Sequence, residues 1–157
     1  MQPIDSEFNA AVLHMVRLHV PHGYTLTSES MDSFEQMRRM FEESGQITVN
    51  TDYSDSTIFG AASVNWAFRA WHDSCHLALN ADFSQEGERR AAELQSEQLR
   101  AVFSRHPKLQ YWLDLIDIEV NGQLEYLLTN GEFPVNQYQF TLDQLQKRGY
   151  ENGLHCS

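Results

Sequence analysis

Residues 64–82 read VNWAFRAWHDSCHLALNAD, and their spacing sets the helical period for the chain. At about 100° per residue, Val64, Phe68, Trp71, Cys75, Ala78 and Leu79 fall on one continuous apolar face. That period predicts a helix over 61–80. Beside the apolar face runs a polar lane of Asn65, Arg69, His72 and His76, with Asp73 at its outer edge. The two histidines stand at i and i+4, so both imidazoles can reach one ion. This spacing is a common way for a helix to offer two nitrogen ligands.

Working outward, the same period recurs. Phe8, Val12, Met15 and Val16 predict a helix over 5–20, closed by the proline and glycine of VPHG. Phe34, Met37, Met40 and Phe41 predict a second over 30–44, closed by Gly45. After the histidine-bearing helix, Ser84 is a good N-cap for a fourth, with Glu86 in its first turn and an end near His106-Pro107. A fifth is expected over 108–129 with a kink at Asn121-Gly122, and a short last one over 141–149. Residues 47–49, ITV, are the one β-like run, and residues 50–60 read as a polar loop. The expected fold is all-α: a single domain over 1–150, five or six helices, negligible strand, and a mobile tail over 151–157.

Composition narrows the function classes. A chain of 157 residues with 41% apolar residues can bury a core. No basic start with an unbroken apolar run marks a signal peptide, and no stretch approaches bilayer length, so a cytoplasmic protein without membrane contact is expected. Cys75 and Cys156 lie outside any CxxC pair, and no disulfide framework is expected. The formal charge of −11 repels nucleic-acid phosphates and disfavours direct nucleic-acid binding. It allows a basic protein surface as partner.

Two histidines need at least one more ligand to hold a divalent ion. On the fourth helix Glu88 and Gln95 project onto the apolar stripe of Ala91, Leu94, Leu99 and Val102, whereas Glu86 and Glu93 point outward. A buried carboxylate requires a partner, and for Glu88 this can be His72, His76, Arg69 or a shared metal. On the fifth helix Asp117 and Glu119 flank the apolar stripe on opposite sides, and Asp117 is preferred as a further ligand. His19 shares the stripe of the first helix and is the candidate third imidazole.

The pair His72-Asp73, late in an apolar helix, resembles the signature of HD-domain phosphohydrolases. The resemblance implies an all-α, metal-dependent enzyme acting on phosphoesters, often nucleotides. It gives His19 the upstream and Asp117 the downstream ligand role, with His72 and Asp73 between them. The frame HDSCH also resembles that of zinc peptidases with an acid between two histidines; there Asp73 replaces the usual glutamate, Leu79 replaces the turn glycine, and Asp82 falls where some members place a third ligand.

One expectation is therefore a metal-dependent hydrolase of a nucleotide or other small phosphoester. Zinc, manganese or iron would be held by His72, His76, Glu88, Asp73, Asp117 and His19 in some combination, and Asp73, Arg69 and Glu88 would serve the reaction. The other is a non-catalytic acidic helical module that binds or inhibits a basic partner, with structural histidines or a structural ion. Such a module can mimic nucleic acid through an acidic face containing Asp32, Glu35, Glu42 and Glu43.

Overall fold

The computed structural model describes residues 2–30 and 33–151. Helix α1 (Ser6–His19) begins where Asp5 accepts hydrogen bonds from the backbone N–H groups of Glu7 and Phe8. The Asp5 carboxylate also accepts the Trp112 indole N–H at 3.1 Å and faces the Lys108 ammonium at 3.3 Å. One cap thus ties the chain start to the fifth helix. Strand β1 (Tyr24–Thr27), helix α2 (Phe34–Ser44) and strand β2 (Ile47–Asn50) follow. Ser33 caps α2 and Gly45 ends it at φ 74°, in the left-handed region that favours glycine.

The strands pair in parallel, with Tyr24 opposite Ile47 and Leu26 opposite Val49. The run at 47–49 is therefore not isolated; its partner is the alternating YTLT segment, which also carries β-favouring residues. Ile47 and Val49 are buried, while Leu26 is exposed. The sheet is a small βαβ annex to a helical domain, and the all-α class stands.

Helix α3 (Ala62–Leu79) is the centre of the molecule and packs against α1, β2 and α4 (Gln85–Phe103). Val64, Phe68, Trp71 and Cys75 are buried as the wheel requires. Asn65 and His76 are buried too, so the polar lane is part of the interior. Asn80 ends α3 in the left-handed conformation, φ 51°, which an asparagine tolerates.

The expected fifth helix is one run of three parts: α5 (Leu109–Asp117), a π-helical turn (Ile118–Gly122) and α6 (Gln123–Asn130). The expected kink at Asn121-Gly122 is this π turn, an insertion often found at functional sites. Helix α7 (Gln137–Lys147) starts four residues earlier than the sequence pattern suggested, because Asn136 caps it through the Gln139 N–H. Among the described residues no helix is long and apolar enough to cross a membrane. Of the expected tail, residues 152–157 lie outside the described residues, as does Asp32 of the proposed acidic face. On that face Glu35 and Glu42 are both paired with Arg38.

Candidate metal centre

His72 and His76 sit one turn apart on α3, and Glu88 in the first turn of α4 meets both. Glu88 Oε2 lies 2.8 Å from His72 Nε2 and 3.2 Å from His76 Nε2, and the two Nε2 atoms are 3.1 Å apart. These are the three convergent metal-ligating groups found among the described residues. At metal–nitrogen distances of about 2.0–2.1 Å, neighbouring tetrahedral ligands stand about 3.3–3.4 Å apart. The trio is already close to that spacing.

The chain segment between the helices makes this meeting possible. The left-handed Asn80 turns the chain so that the Ala81 carbonyl accepts the His76 Nδ1–H at 2.9 Å. Asp82 accepts from the Ser84 backbone N–H, and Ser84 caps α4 through the Gly87 N–H. Gly87 then passes against Asp82 and delivers Glu88 to the histidines. His76 is fully buried, with the ring of Phe83 edge-on at 5.0 Å. His72 turns its other nitrogen, Nδ1, to Gln95 Oε1 at 2.9 Å.

With each Nδ1 facing an oxygen, both Nε2 atoms turn toward the Glu88 carboxylate. Three electron-rich atoms this close need a cation among them, either a proton or a metal. Histidine ligands of metals commonly donate their second N–H to an oxygen in this way. Electrostatics agrees. Burial alone would raise Glu88, but hydrogen bonds and charge from His72 and His76 win and hold it at about 2. Burial alone would lower His72, but Glu88 outweighs it and raises it.

A cavity of about 520 Å³ opens beside the trio, lined by His72, Asp73, Glu88, Arg69, Glu119 and Gln123 among polar groups. Its apolar wall includes Phe68, Phe83, Leu124, Leu127 and Phe133. The Asp73 carboxylate makes no hydrogen bond to another described residue, and burial lifts it to about 6 against the pull of His72 and His76. Arg69 donates to the carbonyls of Asn50 at 2.6 Å and Tyr53 at 3.3 Å. No carboxylate stands within ion-pair distance of it among the described residues.

The structure therefore brings together His72, His76 and Glu88, and puts Asp73 and Arg69 on the adjoining cavity. It does not bring Asp117 or His19 to the group. Asp117 pairs instead with Arg148 at 2.6 Å and accepts from Asn121 at 2.8 Å on an exposed face. The π turn presents Glu119 to the cavity in its place. Burial pushes Glu119 up to about 7, opposed by the Thr141 hydroxyl and the Arg69 charge. His19, at the end of α1, lies outside the trio, and burial lowers its pKa. A helical wheel gives the face of a residue but not its level along a neighbouring helix. Asp82, the third-ligand position of the peptidase likeness, is spent on the turn before α4.

The residue pattern left Glu119 as the alternative to Asp117 and gave no role to the Ala81 carbonyl or to Gln95. For Gln95 the signal was present, since an amide on an apolar stripe needs a partner. The Ala81 contact is made by backbone and leaves no trace in residue type. No known family model matches the chain, and neither a curated protein nor a solved structure shows significant similarity to it.

Proposed function

We propose that His72, His76 and Glu88 hold one divalent ion and that the protein is a metal-dependent hydrolase of a small phosphoester. The observation that carries this reading is the convergence of two imidazole Nε2 atoms and one carboxylate oxygen, each within 3.2 Å of the others, beside a cavity. A set of two histidines and one glutamate leaves a coordination position for water, and a bound ion makes hydroxide available near neutrality. Arg69, which makes no ion pair among the described residues, faces the same cavity and suits a phosphate oxygen. Asp73, beside it, is the group assigned to proton transfer. The apolar wall fits a substrate with a hydrophobic body.

The test is metal analysis of untagged protein. One zinc, manganese or iron per chain, lost in His72→Ala and in His76→Ala, supports the ion. Ion-dependent hydrolysis of p-nitrophenyl phosphate, lost in the same variants, supports the reaction. No metal in a folded wild-type chain overturns both. The 2.8 Å Glu88–His72 contact favours a second reading, because it also suits a charge-assisted N–H···O bond. A proton then replaces the ion, and the protein is a non-catalytic acidic module for a basic partner.

A further inference from the structure

We infer that Gln95 is the positioning residue of this centre, its amide selecting which nitrogen of His72 carries the proton; the inference rests on the metal reading above. The Gln95 side chain is fully buried on α4 and meets His72 Nδ1 at 2.9 Å. The two histidines differ in how their tautomer is set. His76 Nδ1 faces the Ala81 carbonyl, which accepts and never donates. In the neutral ring the proton is thereby placed on Nδ1, and Nε2 is the atom turned toward Glu88. His72 faces an amide instead, and an amide has an accepting and a donating end.

With Oε1 toward the ring, His72 carries its proton on Nδ1 and Nε2 becomes a ligand. Gln95 Nε2 is then buried with no hydrogen-bond partner. An unmade buried hydrogen bond of this kind is destabilising. With the amide turned over, Nε2 of Gln95 donates to Nδ1, and the ring proton moves to Nε2 and points at Glu88. That arrangement pairs the amide nitrogen, leaves Oε1 without a partner in its place, and blocks the ion. Each arrangement leaves one end of the amide unpaired, and ion binding selects the one with Oε1 toward the ring. A carboxylate at this position would lock the ligand-ready tautomer, and an apolar side chain would set none.

The experiment compares wild type, Gln95→Glu and Gln95→Met by zinc competition against a chromophoric chelator, with melting curves of the metal-free proteins. Met has nearly the volume of Gln and adds no polar atom of its own, so that variant removes only the amide contact to His72 Nδ1, and its melting curve shows whether the fold is kept. The expected result is a 10–100-fold weaker zinc affinity for Gln95→Met, and wild-type affinity or tighter for Gln95→Glu. In ¹⁵N spectra of the zinc-loaded wild type, His72 should be protonated at Nδ1. Equal zinc affinity in wild type and Gln95→Met, or a His72 proton on Nε2 with zinc bound, overturns the role of Gln95 while leaving the metal centre standing. A wild type that binds no zinc overturns both.

Discussion

Gly87 lies against Asp82 so closely that a Cβ on it would collide with the Asp82 carbonyl and stand 2.7 Å from its carboxylate Oδ1. No side chain fits there without moving the turn between α3 and α4. The same turn carries Ala81, whose carbonyl holds His76, and leads into Glu88. Gly87→Ala should therefore lower stability by about 1–3 kcal/mol, the usual range for overpacking. It should also weaken metal binding more than an equally destabilising change elsewhere. Urea denaturation and zinc competition on the same variant check both, and unchanged zinc affinity would refute the link.

Glu119 should make stability depend on pH. Its folded pKa, about 7, lies above its ordinary value of 4.5. Between these the folded chain keeps a proton that the unfolded chain releases, so stability falls as pH rises through the window. Glu119→Gln keeps an acceptor for Thr141 and removes the titration. The variant should show a flatter stability profile from pH 5 to 8 and be more stable above pH 7 by about 1–3 kcal/mol. A Glu119→Gln chain less stable than wild type at pH 8 would contradict this.

Arg69 holds the 51–61 loop through the carbonyls of Asn50 and Tyr53. Hydrogen bonds from charged donors contribute about 1.5–3 kcal/mol in net terms. Arg69→Met should lose stability in that range and speed hydrogen exchange in the 51–61 loop, with little change in α1. Uniform exchange across the molecule would show that the guanidinium does not tether the loop.

Cys75 should be chemically silent in the native state. It is fully buried, and burial pushes its thiol up to about 12. Thiolate is the reactive form. In a Cys156→Ser background, Ellman's reagent at pH 8 should find no reactive thiol until urea exposes one. Rapid native labelling would place Cys75 nearer the surface than the structure does.

Much of the fold was legible from residue pattern. The cap Ser84 and the terminator Gly45 stand at helix ends as expected, since each supplies a local hydrogen bond or a left-handed turn that depends on a few neighbours only. Strand β1 was not, because four residues gain strand character from a partner 23 positions away, as in the Tyr24–Ile47 pair. The site divides the same way. The i,i+4 pair His72 and His76 and the inward Glu88 follow from helical period. The exchange of Asp117 for Glu119 does not, because the wheel assumes a regular helix and the π turn at 118–122 breaks that period.

Helical period alone sets two imidazoles on one side of α3 and a hydrophobic stripe on the other, and turns a carboxylate of α4 inward. These are consequences of a fixed angle per residue. It takes the packing of the helices to bring Glu88 level with His72 and His76, to put backbone and amide oxygens on their Nδ1 atoms, and to gather Asp73, Arg69 and Glu119 around one cavity. Height along a neighbouring helix is set by the close pass of Gly87 over Asp82 and by side-chain packing. No periodicity within a single helix encodes that.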